Sequence, residues 1–280
     1  MSSLQQPEIG KSIRVGGVNT NYHDMGSGAP LVLIHGSGAG VTAYANWRLN
    51  MPVLAEEFRV IAPDMLGFGY TDWPKEPIRD VGVWVRHLAG FLDALKLDKV
   101  SFVGNSFGGA LTMAFMIAHP DRVDRAVLMG AAGLSFPITE GLDYVWGYTP
   151  SFDNMKRSVQ YLANDQSRLT DDLVRSRYEA SIRPGVFEAY SAMFGEIPRQ
   201  KHIEMLASDP AKVAAIPHEV LLLHGKEDQV IPLDVTLRIN RLIKRSDAVI
   251  FADCGHWVQI ERLASFNRIV SAFIRNGLAG

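Results

Sequence analysis

Short apolar runs rich in β-branched residues recur along this 280-residue chain, each bounded by turn residues. Their hydrophobicity is continuous rather than alternating, which is typical of strands covered on both faces in a parallel sheet. Stretches of helical periodicity lie between them, so the pattern predicts a doubly wound, mostly parallel α/β sheet. The predicted strands are 31–36, 58–63, 99–104, 125–130, 219–225 and 247–252, and the main predicted helices are 83–97, 107–119, 233–244 and 257–275.

The alternation of strands and helices stops between residues 134 and 214. This segment is rich in helical patterns and contains no strong strand. Because a structureless loop of that length is improbable inside a compact domain, we expect a helical cap inserted over the strand ends. The expected domains are a first part of the core, 1–133, the cap, 134–214, and a second part of the core, 215–280. The pieces 11–17 and 19–25 are expected to form an antiparallel hairpin at one sheet edge.

Charge and composition argue against several classes of function. The net charge of −2 gives no reason to expect a nucleic-acid or membrane-surface partner. No apolar stretch approaches about 18 residues, and the first residues do not read as a secretory signal. Cys254 is the only cysteine, which rules out an internal disulfide. We therefore expect a cytoplasmic protein.

Residues 103–110 read VGNSFGGA and contain a Gly-x-Ser-x-Gly pentapeptide. A predicted strand leads into Ser106 and a predicted helix begins at Phe107, which is the setting of a nucleophile elbow. Glycines on both sides of the serine allow the close backbone approach that such a turn needs. We interpret Ser106 as a nucleophile rather than as an ordinary loop serine.

A serine hydroxyl becomes a good nucleophile only when a base takes its proton and an acid orients that base. After a nucleophile elbow the acid and the histidine are expected in that order along the chain. Asp228 follows strand 219–225, and His256 follows strand 247–252. Both positions lie at the carboxyl ends of strands, where α/β sheets bind ligands. The sequence therefore predicts a triad of Ser106, Asp228 and His256.

Other titratable residues are expected to have structural roles. His35 and His224 precede glycines at strand ends, where hydrogen bonds to the loop backbone are expected. Asp64 is expected to brace the sheet edge, and Glu227 to point away from the site and solvate its loop. Cys254 is disfavoured as a nucleophile because it lies on the loop of the predicted base, two residues before it.

A tetrahedral intermediate needs backbone donors for its oxyanion. One predicted donor is the N–H of Phe107, and the other is Ser37 or Gly38 in the glycine-rich turn HGSGAG, 35–40. No Gly-Lys-Ser/Thr follows this turn, which argues against a phosphate-binding loop. The sequence contains no metal-ligand cluster and no dinucleotide fingerprint, so we expect catalysis without a cofactor.

Six longer segments together resemble the α/β-hydrolase family and, within it, the meta-cleavage product hydrolases, which cleave C–C bonds during bacterial degradation of aromatic rings. The similarity covers nearly the whole chain and is greatest to 2-hydroxymuconate semialdehyde hydrolases and their alkyl-substituted relatives. One departure is Ala39, where many relatives have proline, but the backbone amides of the turn remain available. The segments are HGSGAGVTAYANWR, PDMLGFGYT, VGNSFGGA, GLSFPITEGLDYVWGYTPS, RYEASIRPG and CGHWVQIE.

The resemblance implies a 2-hydroxy-6-oxo-hexa-2,4-dienoate as substrate. Such an enzyme ketonises the dienol and then cleaves the bond beside the C6 carbonyl with water, giving 2-hydroxypenta-2,4-dienoate and a carboxylic acid. Hydrogen, methyl, isopropyl and phenyl at C6 stay open, and the resemblance favours the smaller groups. It also implies a homodimer or larger homo-oligomer, and pocket residues at Asn46, Asn105, Arg177 and Trp257.

The guanidinium of Arg177 suits the carboxylate and 2-oxo oxygens of such a substrate, because its planar fork bonds two oxygens at once. The structural alternative is an ion pair with Asp171 or Asp172 on the cap surface. A carboxylesterase, a cofactor-free perhydrolase and a non-catalytic small-molecule receptor are the alternative functions. Dehalogenases and epoxide hydrolases are disfavoured, because they place aspartate where Ser106 stands.

Overall fold

The computed structural model describes residues 6–195 and 197–278, and within these the strands form one eight-stranded sheet. The strands are β1 (Lys11–Val15), β2 (Val18–Met25), β3 (Pro30–Ile34), β4 (Arg59–Pro63), β5 (Val100–Asn105), β6 (Val123–Met129), β7 (Glu219–Gly225) and β8 (Ser246–Phe251). Their spatial order is β1-β2-β4-β3-β5-β6-β7-β8. β1 and β2 form an antiparallel hairpin, and β2 pairs antiparallel with β4. The remaining neighbours pair in parallel, which confirms the predicted sheet.

The helices lie on both faces of this sheet and above its carboxyl edge. They are α1 (Ala43–Trp47), α2 (Met51–Leu54), α3 (Val81–Ala94), α4 (Phe107–Ala118), α5 (Glu140–Trp146), α6 (Phe152–Leu162), α7 (Asp171–Ser181), α8 (Val186–Phe194), α9 (Gln200–Leu206), α10 (Pro210–Ala214), α11 (Leu233–Leu242), α12 (Val258–Glu261) and α13 (Leu263–Asn276). Across the part of the chain that the structure describes, no helix combines the length and the apolar character that crossing a bilayer requires.

The prediction of one continuous helix over 257–275 was wrong. The helix is interrupted at Arg262, whose φ of −118° and ψ of 36° are not helical. The guanidinium of Arg262 donates to the carbonyl oxygens of Ala252 and Asp253, which belong to the turn after β8. The apolar spacing continues across this break, so periodicity alone gives no sign of it.

Alternate residues of the central strands enter two different cores. In β3, Leu31 and Leu33 face a core on the side of α13, whereas Val32 and Ile34 face the core on the side of α3 and α4. All four side chains are fully buried. Complete burial of an aliphatic side chain contributes about 1.5–3 kcal/mol. The continuous apolar runs of the sequence are therefore explained by a sheet that is covered on both faces.

A helical region is inserted between β6 and β7, where the described residues form α5 to α10. Threonine and serine side chains begin several of these helices: Thr139, Ser151 and Thr170 each accept a hydrogen bond from a first-turn N–H. Such N-caps contribute about 1 kcal/mol each. The starts of these inserted helices are thus encoded by local sequence. The bounds of the insertion at 134 and 214 stay a prediction.

Candidate active site

Ser106 lies in the sharp turn between β5 and α4. Its φ is 55° and its ψ is −113°, a region that residues with a side chain rarely adopt. Its N–H donates to the carbonyl oxygen of Met129 at the end of the neighbouring strand, at 2.8 Å. Backbone strain of this kind costs about 1–3 kcal/mol and persists only where the surroundings enforce it. The turn presents Ser106 at the carboxyl edge of the sheet.

The glycines around Ser106 are required by packing. A Cβ atom at Gly108 would collide with the carbonyl oxygen of Ile34, and one at Gly104 would collide with the carbonyl oxygen of Gly108. The first turn of α4 therefore lies directly against the ends of β3 and β5. The Gly-x-Ser-x-Gly spacing is what makes this close approach possible.

Asp228 and His256 are hydrogen-bonded to each other at the same edge of the sheet. His256 Nδ1 lies 2.7 Å from Asp228 Oδ2, and the two side chains are 3% and 1% exposed. Asp228 Oδ1 accepts the N–H groups of Val230 and Ile231 at 2.8 and 2.9 Å. A carboxylate facing Nδ1 keeps the proton on that nitrogen and leaves Nε2 free as a base. This is the arrangement of an oriented general base.

Two opposing influences set the pKa of Asp228. Burial disfavours its ionised form, but the charge and the hydrogen bond of His256 favour that form and hold the pKa below its ordinary value. His224 lies behind the carboxylate, with Nε2 3.5 Å from Oδ2. Burial lowers the pKa of His224, whose ring bonds Thr236 Oγ1 and the carbonyl oxygen of Ile231. Asp228 is therefore an ionised acid next to a neutral His224.

His35 and Asp64 have backbone partners. His35 Nδ1 donates to the carbonyl oxygen of Gly36 at 2.6 Å, and its Nε2 accepts the N–H of Met65 at 2.9 Å. Asp64 accepts the N–H groups of Ala43 and Tyr70, together with the amide of Asn21. Both residues brace loops beside the sheet edge, as the sequence predicts.

Glu227 and Cys254 bind each other rather than the reacting groups. Glu227 accepts the N–H of Cys254 at 3.0 Å, so its carboxylate is directed to the neighbouring loop rather than to the reacting groups, as predicted, and there it bonds a backbone N–H. Burial raises the pKa of the Cys254 thiol to about 12. A thiol with that pKa stays protonated at neutral pH and is a poor nucleophile.

A cavity lies between this sheet edge and the inserted helices. About 890 Å³ of this space is not filled by protein atoms, a volume that includes space open to solvent. Apolar side chains of the insertion, such as Leu142, Val145 and Val159, form one wall. The predicted site residues that line the cavity are Ser37, Gly38, Asn46, Asn105, Ser106, Arg177, His256 and Trp257.

The two predicted site residues outside the lining lie directly behind it. Asp228 is covered by His256, which it orients. The ring of Phe107 packs against Trp84 and Phe68 in the core. Its backbone N–H belongs to the first residue of α4, where no carbonyl of the same helix can accept it. That N–H is free to serve an oxyanion.

The second predicted oxyanion donor comes from the turn after β3. Ser37 and Gly38 both border the cavity. The hydroxyl of Ser37 accepts the indole N–H of Trp146 at 2.9 Å, which ties this turn to the inserted helix α5. The choice between the two residues stays open.

Several buried polar atoms of the lining have no partner among the described residues. The donors are Asn46 Nδ2, Asn105 Nδ2 and Arg177 Nη1, the acceptor is Gln259 Oε1, and the hydroxyl of Ser158 can donate or accept. Leaving such a group unpaired costs about 1–3 kcal/mol. Because buried polar groups are nearly always satisfied, these atoms are available to bond a polar ligand or water in the cavity.

Arg177 is paired, but with neither of the predicted acids. Its Nη2 donates to Glu8 Oε1 at 2.7 Å, whereas Asp171 lies 3.4 Å from the ammonium of Lys156. The predicted alternative of a surface ion pair with Asp171 or Asp172 is therefore not what the structure contains.

Sequence reasoning missed Arg48, which also lines the cavity. Its Nη1 donates to the carbonyl oxygen of Ala45 at 2.8 Å. Burial and then the positive charge of Arg177 lower the pKa of Arg48, so the two guanidinium groups influence each other. The available signal was the position of Arg48, two residues after Asn46 and directly after the end of α1. No metal-binding group of three or more His, Cys, Asp or Glu side chains occurs in residues 6–195 and 197–278.

The chain is similar to proteins of known activity over nearly its whole length. Residues 29–263 match the family of the α/β hydrolase fold. A 2-hydroxymuconate semialdehyde hydrolase of Pseudomonas sp. strain CF600 is 53% identical, over 96% of this chain and 94% of that protein. A 2-hydroxy-6-oxo-2,4-heptadienoate hydrolase of Pseudomonas putida strain F1 is 54% identical, over 95% and 96%.

A solved structure is similar to this chain to the same extent. A serine-to-alanine mutant of a meta-cleavage product hydrolase from Pseudomonas fluorescens IP01, complexed with acetates, is 53% identical and superimposes with a TM-score of 0.95. The match covers 96% of this chain and 99% of that one.

Proposed function

The chain belongs to the α/β-hydrolase family and, within it, to the meta-cleavage product hydrolases, and from this premise we propose the roles of its site residues. Its activity is hydrolysis of a C–C bond in 2-hydroxy-6-oxo-dienoate ring-fission products. Ser106 is the nucleophile, His256 is the general base and Asp228 orients the base. The observation that carries the proposal is the set of unpartnered donors on Asn46, Asn105 and Arg177 in the same cavity as Ser106 and His256.

The dienoate end of the substrate lies against these donors. Its carboxylate and 2-oxygen bond the guanidinium of Arg177, while Asn46 and Asn105 supply neutral hydrogen bonds that fix the chain. Trp257, next to the base, forms an aromatic wall. The C6 carbonyl then lies near Ser106, because the lining joins these residues in one cavity.

Ketonisation must come before bond cleavage. In the dienol, electrons released from the bond between C5 and C6 have no acceptor. Once a proton has moved to C5 and the 2-hydroxyl has become a 2-oxo group, those electrons can pass through the C3–C4 double bond to the 2-oxygen. The positive charge of Arg177 stabilises the negative charge on that oxygen in both stages.

In the cleavage step His256 Nε2 takes the proton of Ser106 while Oγ adds to C6. The N–H of Phe107 and an N–H of Ser37 or Gly38 bond the resulting oxyanion. Collapse breaks the bond between C5 and C6, and the dienolate takes the proton that His256 holds, which yields 2-hydroxypenta-2,4-dienoate and neutral His256. Water, deprotonated by His256, then hydrolyses the acyl group on Ser106 to the carboxylic acid.

A test mixes the protein with a yellow ring-fission product and follows dienolate absorbance together with acid release. Wild type is expected to remove the colour and release one acid per substrate, and Ser106→Ala to lose a factor on the order of 10⁶ in rate. The mutation is expected to leave binding and folding intact, because it removes one oxygen. A variant that kept a tenth of the activity would contradict the assignment of Ser106. Turnover of simple esters alone would indicate an esterase.

We further propose that the preferred C6 substituent is hydrogen or methyl, as in the compounds named in the two similar enzymes. A kcat/KM series over hydrogen, methyl, isopropyl and phenyl at C6 tests this, and a maximum at phenyl would contradict it. A homodimer or larger assembly in the cytoplasm is proposed on the family resemblance, and light scattering measures the assembly.

A further inference from the structure

Glu8, in the segment before β1, contacts a residue of the inserted helix α7. Its Oε1 lies 2.7 Å from Arg177 Nη2, across a separation of 169 residues, and the two side chains are only 15% and 16% exposed. The carbonyl oxygen of Glu8 is bonded by the Asn21 amide at 3.1 Å and by the His23 ring at 3.3 Å, both on β2. The core sheet thus holds the backbone of Glu8, from which the carboxylate reaches Arg177.

Only one of the two terminal nitrogens of Arg177 has a hydrogen-bond partner among the described residues. Nη2 donates to Glu8, whereas Nη1 is buried and has no partner among the described residues. Because a guanidinium is planar and rigid, fixing one terminal nitrogen restricts the direction of the other. The contact with Glu8 therefore aims the unpartnered Nη1.

Glu8 also compensates charge at this end of the cavity. Arg48 and Arg177 both line the cavity, and both also line a groove on its outer side together with the carboxylates of Glu8 and Asp172. Glu8 is the carboxylate that acts on both guanidinium groups, because it bonds Arg177 directly and its charge opposes the lowering of the Arg48 pKa. Without Glu8 the repulsion between the two cations would lose the counter-charge that is bonded to Arg177.

We propose that Glu8 is a positioning residue for the reaction, which holds Arg177 so that Nη1 meets the carboxylate end of the substrate while Glu8 itself remains outside the cavity. The inference rests on the proposed function, since it assumes a substrate carboxylate at Arg177. It also assigns the segment before β1 a part in substrate recognition.

Steady-state kinetics of Glu8→Ala and Glu8→Gln on a ring-fission product test the proposal. Glu8→Ala is expected to raise KM about tenfold or more and to change kcat by less than about threefold, because a charge-assisted hydrogen bond that holds the binding group is lost. Glu8→Gln keeps an acceptor oxygen and is expected to restore part of the affinity. Glu57→Ala, which removes an ion pair with Arg275 outside the cavity, is the matched control and is expected to keep the wild-type KM.

The double variant Glu8→Ala/Arg177→Ala separates positioning from a structural role. If Glu8 acts through Arg177, its removal adds less than about threefold to the loss in Arg177→Ala, because neighbouring residues in one network are not additive. If the double variant instead lost the product of the two single losses, the proposal would be overturned. A KM for Glu8→Ala within about twofold of wild type would overturn it as well. Should Glu8→Ala lower Tm, the double variant Glu8→Gln/Arg177→Ala replaces it, and a full multiplicative loss there would likewise overturn the proposal. Wild type that consumes no ring-fission product would instead refute the proposed function.

Discussion

The guanidinium of Arg177 must bond the substrate and remain fixed while the substrate changes. A lysine at this position would supply the charge but only one flexible point of contact. We expect Arg177→Lys to lower kcat/KM for a ring-fission product at least about tenfold, nearly as much as Arg177→Ala. Arg175→Lys, on the same helix but exposed, is the matched control. Full activity of Arg177→Lys would remove the argument for a two-oxygen contact.

Asp228 acts on the reaction only through His256. An amide in its place would no longer favour the proton on Nδ1 or stabilise the imidazolium that forms during catalysis. Asp228→Asn is therefore expected to lower kcat by a factor on the order of 10⁴ without unfolding the protein. The neighbouring Glu227→Gln keeps an acceptor for the N–H of Cys254 and is expected to retain activity within about tenfold of wild type. If Asp228→Asn kept its activity and Glu227→Gln lost it, the acid of the triad would be misassigned.

At the scale of secondary structure, the packing of α4 against β3 determines the geometry of the nucleophile turn. A methyl group at Gly108 meets the carbonyl oxygens of Ile34 and His35, which are backbone atoms that cannot rotate away. Gly108→Ala is expected to lower the free energy of unfolding by about 1–3 kcal/mol and to displace Ser106. At Gly38 an added Cβ meets no atom within 4 Å, so Gly38→Ala serves as the stability control. Equal urea midpoints for Gly108→Ala and Gly38→Ala would contradict the proposed clash at Gly108.

Over the whole molecule, stability is expected to fall in mild acid. Burial lowers the pKa of His35 to about 4, and its Nε2 accepts an N–H that a protonated ring would repel. Between pH 6.5 and 4 the unfolded chain binds this proton and the folded chain does not, so the free energy of unfolding falls as pH falls. The whole difference between the ordinary pKa of 6.5 and the folded value of about 4 corresponds to about 3 kcal/mol of stability. Urea unfolding at pH 7 and 4.5 measures this fall in the free energy of unfolding. An equal fall in His35→Gln would refute its attribution to His35.

Some features of this molecule follow from sequence patterns and others depend on long-range packing. The strands are predictable because residues such as Leu31 and Val32 are buried on opposite faces, which makes their hydrophobicity continuous. The proximity of Asp228 to His256 is predictable because both follow strands that end at one edge. The contact of Glu8 with Arg177 depends on how the insertion lies over β2, and no local pattern encodes it. The helix break at Arg262 likewise depends on carbonyls of another element.

The inserted helices join the sheet through two chain connections, after β6 and before β7. The insertion can therefore be regarded as a cassette that recombination between relatives could exchange, provided that the new insertion keeps the hydrogen bonds of Leu162 to Trp257 and of Asn164 to Glu261 beside His256. Such an exchange would bring in a new arginine at the position of Arg177 while keeping the old residue at the position of Glu8. Compatibility between these two distant positions would then decide which chimaeras still recognise their substrate.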